Sequence, residues 1–93
     1  MDILHKTDGK KGEFIIRDNA IQAGLMTYTL AGNIMIIDHT EVDEAFEGKG
    51  LGKQLVQAGV DYARENKLRI KPLCPFAKRI LDRQYETVKD ILF

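Results

Sequence analysis

The stretch 34–54, IMIIDHTEVDEAFEGKGLGKQ, constrains the possible folds of this chain more than any other part of the sequence. Its first residues, 34–37, form an apolar run, and the segment that ends at Val42 is predicted to be a strand buried on both faces of a sheet. A short acidic loop and a glycine-rich turn follow, and an amphipathic run begins at Leu51. This order predicts a strand that leads through a tight turn into the N-terminus of a helix.

The turn itself indicates a ligand. Gly48, Gly50 and Gly52 alternate with Lys49 and Leu51. Such a turn can direct several free backbone N–H groups at one point ahead of a helix, and glycine lets a bulky anion approach the backbone closely. The turn therefore predicts a binding site for a phosphate or pyrophosphate group.

Two better-known glycine loops do not fit this turn. A P-loop needs a glycine five residues before the Gly of Gly-Lys-Ser/Thr, but that place holds Glu47, and Lys53 is followed by Gln54. A dinucleotide-binding loop of the pattern Gly-x-Gly-x-x-Gly would need a glycine where this chain has Lys53. Both classes of nucleotide site are excluded.

Four elements of the chain resemble the minimal single-domain members of the Gcn5-related N-acetyltransferase superfamily. The turn is similar to that family's acetyl-CoA turn, whose pattern is [Arg/Gln]-x-x-Gly-x-[Gly/Ala]. Glu47 departs from this pattern at its first position. Those small proteins also carry a tyrosine strand, a His-Thr-Glu-Val strand end and a later Leu-Cys-Pro-Phe/Tyr element. Here the elements occur in the same order, from about Gly12 onward, as Tyr28, then His39, Thr40, Glu41 and Val42, then Gly48 to Gly52, and finally Leu73, Cys74, Pro75 and Phe76.

The scale of the chain fits one domain, 1–93. At 93 residues, with 44% hydrophobic and 30% charged residues, the composition is ordinary for a soluble globular chain. The single cysteine, Cys74, cannot form an internal disulfide, and we find no signal-peptide core and no apolar run long enough to span a bilayer. We expect a cytoplasmic protein without a membrane partner, either a monomer or a weak dimer.

The charge is divided unevenly along the chain. Residues 1–46 contain four Lys or Arg and eight Asp or Glu, whereas residues 47–93 contain ten and six. A basic second half suits a polyanionic ligand such as CoA, and the acidic loop residues Asp43 and Glu44 could attract a cationic amine. Nucleic-acid binding is disfavoured because the net charge is zero and no basic patch is interleaved with aromatic residues.

The predicted elements indicate a mixed α/β (α+β) fold. Strands are predicted at 3–6, 13–18, 20–30, 34–42 and 68–74, and helices at 51–66, 75–83 and 85–92. The unit 34–74 is a right-handed β-α-β crossover, so its two strands should be parallel after a set of antiparallel ones. The resemblance implies a truncated form of the acetyltransferase fold, in which these two strands splay apart and the pantetheine arm of CoA enters between them.

Acetyl transfer needs an unprotonated nucleophile, donors for an oxyanion and a proton for the departing CoA thiolate. Glu41, near the end of the central strand, and His39, on the same face two residues earlier, are the candidate general bases. Glu41 could also be a solvated charge at the strand end or hold a loop amide. His39 is equally consistent with a core histidine bonded to a backbone partner. Tyr28 could protonate the thiolate or could simply pack with its hydroxyl at the rim. His5 is interpreted as an inert surface residue.

Cys74 has two interpretations. A lone cysteine is commonly a small buried hydrophobic residue. This one, however, directly precedes a predicted helix that opens with Pro75, where free N–H groups and the helix dipole lower a thiol pKa. The resemblance also implies a place beside the acetyl end of CoA, so Cys74 is a candidate acetyl-accepting nucleophile.

We therefore predict an N-acetyltransferase that moves an acetyl group from acetyl-CoA to an amine, either a small amine or a protein lysine or N-terminus, directly or through acetyl-Cys74. The alternative is a non-catalytic CoA-binding or acyl-CoA-binding module, or a subunit completed by a partner protein. We expect the carboxylate of Glu47 to turn away from the phosphates, and we predict no metal site. The candidate cofactor-binding residues are Thr40, Val42, Glu47, Gly48, Lys49, Gly50, Leu51, Gly52, Lys53, Cys74, Pro75, Phe76, Lys78 and Arg79.

Overall fold

The computed structural model describes residues 1–93 and arranges five strands in one sheet in chain order. The strands are β1 (Asp2–Thr7), β2 (Lys11–Asp18), β3 (Ile21–Ala31), β4 (Ile34–Val42) and β5 (Arg69–Pro72). The helices are α1 (Leu51–Glu65), α2 (Pro75–Arg83) and α3 (Tyr85–Val88), and a 3-10 turn covers Glu44–Phe46. Strands β1 to β4 pair antiparallel and β5 pairs parallel to β4, which confirms the predicted α+β fold and crossover. None of these helices combines the length and apolar character needed to cross a bilayer.

All three helices pack on one face of the sheet. Successive side chains of β2 to β4 point to opposite faces of the sheet. Met26, Met35 and Ile37 point to the face with the helices and are fully buried in the core. The opposite face carries the cross-strand row Leu4, Ile15, Leu25 and Glu41 without a helix over it. The expectation that β4 is buried on both faces is wrong, because β1 to β4 form an antiparallel sheet with a single helical layer.

The apolar stripe of α1 is the centre of the core. Leu55, Val56, Val60 and Ala63 have no exposed surface. Gly59 belongs to the same face, and a Cβ there would lie 2.7 Å from the Cε atom of Met26. The glycine thus lets α1 approach the sheet closely, as its place in the stripe predicts.

A β-bulge interrupts β4 where the candidate site residues begin. Thr27 pairs with His39 and Tyr28 pairs with Ile37, so Asp38 is an extra residue on β4. A bulge reverses the alternation of the residues that follow it. Thr40 therefore points into the core, whereas His39 is exposed on the open face.

Strands β4 and β5 separate directly beside this bulge. Their pairing ends at Ile37 and Pro72, and the N–H groups of Leu73 and Cys74 both donate to the Ile37 carbonyl, at 3.0 and 3.2 Å. The chain then turns into α2 and leaves the edge of β4 beyond Ile37 unpaired. The splayed parallel strands implied by the resemblance are present.

The outer edge of β5 is covered by the last residues of the chain. The Ile70 N–H donates to the Ile91 carbonyl at 2.7 Å, and the Phe93 N–H donates to the Ile70 carbonyl at 2.9 Å. The predicted helix 85–92 is therefore too long, since α3 ends at Val88. The backbone after α3 instead forms hydrogen bonds with N–H and C=O groups of the edge strand β5, which would otherwise be left unpaired.

Candidate active site

A cleft of about 760 Å³ opens where β4 diverges from β5. Its walls are the end of β4, the glycine turn, the first turn of α1 and one side of α2. Of the predicted cofactor-binding residues, those that line it are Val42, Glu47, Gly48, Gly50, Leu51, Gly52, Lys53, Phe76 and Arg79. The arrangement brings one strand edge and the N-terminus of one long helix to the same cavity.

The glycine turn has the backbone of an anion-binding loop. Gly48 and Gly50 adopt positive φ angles of 81° and 73°, and the space around both is open, with no atom within 4 Å of an added Cβ. Gly50 is the N-cap of α1, and the N–H of Gln54 is the one that donates to its carbonyl. The N–H groups of residues 51–53, which come before Gln54 in the first turn of α1, have no intrahelical partner and point towards the cleft.

Gly52 has a different role from the other two glycines. A Cβ at this position would lie 2.3 Å from the ring of Phe76 on α2. Gly52 is therefore needed for the close approach of α1 and α2, which forms one wall of the cleft. Its neighbour Leu51 is buried, so only its main chain is available to a ligand.

The charged side chains at the cleft are mixed in sign. The cleft is lined by three positively charged residues, Lys53, Arg79 and Arg83, and by two negatively charged ones, Glu41 and Glu47. The Glu47 carboxylate makes no hydrogen bond and no ion pair. Arg83 is not among the residues predicted from the sequence, although its spacing of four residues from Arg79 on α2 places both on one helix face.

Two of the predicted cations lie outside the cleft. The Nζ atom of Lys49 is 5.5 Å from the ring centroid of Phe46. The Nζ atom of Lys78 forms an ion pair with Asp82 at 2.9 Å on the exposed side of α2. Neither is placed to neutralise a group bound in the cleft.

His39 and Glu41 form an exposed pair at the end of β4. The Nε2 atom of His39 lies 3.2 Å from the Oε2 atom of Glu41, and both side chains are more than half exposed. The core-histidine interpretation of His39 is wrong because the Asp38 bulge turns this side chain to the open face. Glu41 is also among the residues that line the cleft.

Cys74 is buried at the N-cap of α2, directly before Pro75 at the first helical position. Burial raises the pKa of its thiol. The N–H of Ala77 and the hydroxyl of Thr40 outweigh this effect, with further help from the N–H groups of Phe76 and Thr40, and the net pKa is lower than usual. The sulfur makes no full capping hydrogen bond, so these donors act as close neighbours of the thiol. A thiol so placed has more nucleophilic character than an ordinary buried cysteine.

Tyr28 lies apart from this group. Its hydroxyl is hydrogen-bonded to the Nε2 atom of His5 at 2.5 Å, and its ring packs against Phe14 and Tyr62. Its side chain passes over Gly12 towards β1, because only a glycine there leaves room for it. Tyr28 does not line the cleft, and these contacts fit its packing interpretation, whereas its role as a proton donor to the CoA thiolate stays a prediction. His5 is exposed, as predicted for a surface residue, and stacks on Phe14.

Sequence comparisons add independent findings. A family model described as GCN5-related N-acetyl-transferase matches residues 13–91. Protein NATD1 of Gallus gallus is 30% identical over 74 residues, which cover 77% of this chain and 67% of that protein. Protein NATD1 of Bos taurus is 29% identical over 76 residues, with 80% and 67% covered.

Solved structures share the fold. The solution NMR structure of a Staphylococcus aureus protein described as GCN5-like is 35% identical, has a TM-score of 0.73, and is matched over 97% of this chain and 87% of that one. The ribosomal-protein-S18-alanine N-acetyltransferase from Escherichia coli is 15% identical with a TM-score of 0.67, over 71% of this chain and 43% of that one. At that lower identity the likeness extends to the fold alone.

Proposed function

The chain belongs to the GCN5-related N-acetyltransferase family, and on this premise we propose that it is an acetyl-CoA-dependent enzyme that acetylates an amine. The observation that carries the proposal is the cleft, in which the free N–H groups of the first turn of α1 face the unpaired edge of β4. A strand edge suits an amide-containing arm, and a helix N-terminus suits a phosphate. Both belong to the same cavity, as a CoA molecule requires.

The residues of the cleft fit CoA in shape and charge. The open space at Gly48 and Gly50 leaves the backbone accessible to a pyrophosphate, while Lys53, Arg79 and Arg83 supply positive charge. On β4 the Asp43 N–H donates to the Ala23 carbonyl, so by alternation the main-chain groups of Val42 face the gap left by β5. Acetyl-CoA would supply an acetyl group activated as a thioester.

In the direct route, Glu41 acts as the general base. The acceptor amine reaches the site protonated and must lose a proton before it attacks. The carboxylate of Glu41 can take that proton, and His39, at 3.2 Å, can hold the carboxylate in place and pass the proton to solvent. The exposure of this pair on the open face suits an acceptor that arrives from that side.

In the second route, Cys74 carries the acetyl group. The Cys74 thiolate forms a bond to the acetyl carbon, the bond from that carbon to the CoA sulfur breaks, and the CoA thiolate takes up a proton. The amine then attacks the acetyl-Cys74 thioester, loses its proton to Glu41 and releases the Cys74 thiolate. The low thiol pKa at the N-cap of α2 favours this route.

A binding titration combined with a turnover assay tests the proposed function. Acetyl-CoA added to 15N-labelled protein should shift the amide resonances of residues 48–53 and of α2, and CoA release should be measured with a panel of small amines and lysine peptides. Binding with turnover is the expected result. Binding without turnover on any acceptor favours the non-catalytic module, and the absence of binding overturns both.

The two routes are separated by mass spectrometry. Without an acceptor, the second route yields a protein that is heavier by one acetyl group, loses it in hydroxylamine and does not form in Cys74→Ser. Turnover should then be abolished in Cys74→Ala while CoA binding is nearly intact. Normal turnover in Cys74→Ala without an adduct would leave the direct route through Glu41.

A further inference from the structure

Thr40 is a buried residue with a polar side chain, at 6% exposure, and the other buried residue that carries a hydroxyl, Tyr28, is bonded to His5. The Oγ1 atom of Thr40 has no hydrogen-bonding partner. Buried hydroxyls are nearly always paired, since an unmade hydrogen bond in the interior is costly. A buried unpaired hydroxyl therefore indicates a partner that is present in another state of the site.

The nearest candidate partner is the sulfur of Cys74. Thr40 faces the core because of the Asp38 bulge, on the strand edge from which β5 has separated. Both the hydroxyl and the main-chain N–H of Thr40 lie close enough to Cys74 to favour its ionised form. The hydroxyl nevertheless makes no hydrogen bond in the structure, and a neutral thiol is a weak acceptor. A thiolate is a strong acceptor and would complete the pairing.

We propose that Thr40 is the positioning residue of Cys74, and that its hydroxyl donates a hydrogen bond to the Cys74 sulfur when the thiol is ionised. The inference rests on the proposed function in its acetyl-Cys74 form, and it explains why a hydroxyl lies in an otherwise apolar core. The bond would hold the thiolate in its buried place. The N–H groups of Ala77 and Phe76, at the start of α2, also favour the ionised sulfur.

Charged side chains do not offer an equivalent contact. His39 and Glu41 of β4 point to the opposite face of the sheet. Lys53 on α1 and Arg69 and Lys71 on β5 are exposed, as are Lys78, which is paired with Asp82, and Arg79 on α2. The hydroxyl of Thr40 is therefore the side-chain group best placed to control the thiol.

The test is the pH dependence of iodoacetamide alkylation of the full chain, without CoA. Thr40→Val keeps the shape of the side chain and removes the donor, and Thr40→Ser keeps the donor. We expect the midpoint of the alkylation profile to rise by about one pH unit in Thr40→Val, a tenfold loss of thiolate at neutral pH. Thr40→Ser should stay near the parent. Cys74→Ser identifies the alkylated thiol, because the chain has no other cysteine.

An unchanged midpoint in a folded Thr40→Val, checked by circular dichroism, would overturn the inference. If Thr40→Val does not fold, Thr40→Ala provides the same comparison, and an equal midpoint in Thr40→Ala and Thr40→Ser would overturn it as well. The acetyl-Cys74 adduct is measured separately. A shifted midpoint without an adduct supports the pairing and removes the acetyl-enzyme route, whereas an adduct with an unshifted midpoint removes only the role of Thr40.

Discussion

A single inserted residue determines which side chains of β4 meet the cleft. Without the bulge at Asp38, the alternation that buries Met35 and Ile37 would continue and turn His39 and Glu41 into the core. Two ionisable groups would then be buried without partners, at a cost of several kcal/mol. With the bulge, the His39 and Glu41 side chains are hydrated and the smaller Thr40 occupies the interior.

The first prediction concerns the carboxylate of Glu41. Glu41→Gln keeps the shape and hydrogen-bonding capacity of the side chain but removes the base, so kcat should fall by about 10²- to 10⁴-fold. The dissociation constant of acetyl-CoA should change little, because in the proposed complex the turn and α2 hold the phosphates. Steady-state turnover and calorimetric titration measure the two quantities.

Glu65→Gln is the matched control for Glu41→Gln. Glu65 is an exposed carboxylate at the end of α1, away from the cleft, so its substitution should leave kcat unchanged. A kcat in Glu41→Gln equal to that of this control would remove Glu41 from the mechanism.

The sequence carries least information about the surroundings of individual side chains. The position of Cys74 before Pro75 predicts the N-cap, but the second influence on its thiol comes from Thr40, 34 residues earlier in the chain. The alternatives for His39 stay open in the sequence for a related reason. A bulge arises from the pairing of two strands, and no residue type on β4 alone specifies it.

Among the elements, the glycine turn combines two different structural demands. Gly50 supplies a left-handed N-cap with open space around it, whereas Gly52 supplies room for a ring of α2. The sequence pattern treats both as phosphate-binding glycines. Only the first is suited to test phosphate binding, since a side chain at Gly52 would also displace α2.

The second prediction therefore uses Gly50→Asp, which places a carboxylate at the expected pyrophosphate site. Acetyl-CoA at a hundredfold excess over its dissociation constant should stabilise the parent by about 2.7 kcal/mol, and this stabilisation should be lost in the variant. Chemical denaturation with and without ligand measures it. Gly32→Asp is the matched control, because Gly32 also has a positive φ, 61°, and open surroundings, but lies in the β3–β4 hairpin. Equal ligand stabilisation in both variants would show that the turn is not the phosphate site.

The third prediction concerns the cleft side of α2. Arg79→Glu should weaken acetyl-CoA binding, and the loss should shrink as salt is raised from about 0.05 M to 0.5 M because screening reduces the repulsion. Lys78→Glu is the control: the charge change is the same and lies one residue away, but Lys78 is outside the cleft and paired with Asp82. Calorimetric titration at several salt concentrations measures both. Similar losses in the two variants would mean that α2 acts only through its overall charge.

Most elements were predictable, and the exceptions have a physical cause. The strands and α1 follow from alternation, a 3.6-residue stripe and glycine-rich turns, all of which are local patterns. The predicted end of α3 lies too far along the chain. Hydrogen bonds to β5 hold residues 91–93 in an extended conformation, and this contact joins segments that are distant in the sequence. The packing contacts of Tyr28 were not predictable for the same kind of reason, since its partner His5 lies on another strand.

At the scale of the whole molecule, the acidic and basic halves of the sequence contribute charged residues to two different surfaces. The acidic first half includes the open face of the sheet, where Asp38 and Glu41 lie, and the basic second half supplies Lys53, Arg79 and Arg83 to the cleft. An anionic cofactor and a cationic acceptor would thus approach from different sides of β4. This arrangement allows transfer across the strand without competition between the two ligands.

The last prediction concerns the stability of the whole molecule against pH. The folded state lowers the pKa of Cys74, whereas the unfolded chain has an ordinary thiol pKa of about 8.5. Folding then favours the ionised form, so the stabilisation is fully present above the unfolded pKa and is lost as pH falls through the folded pKa. The free energy of unfolding of the parent, relative to Cys74→Ser, should therefore rise with pH across this window, by about 1.4 kcal/mol for each unit that separates the two pKa values.

Urea denaturation between pH 6.5 and 9.5, with a reductant present, measures this difference. The other shifted groups do not interfere. Asp8 and Asp90 titrate at acid pH, burial lowers the pKa of His5 below the window, and the raised pKa of Tyr28 lies above it. Thr40→Val should show a smaller rise than the parent if its hydroxyl contributes to the thiolate. Parallel curves for the parent and Cys74→Ser would mean that folding leaves the thiol pKa unchanged, and the prediction would then be wrong.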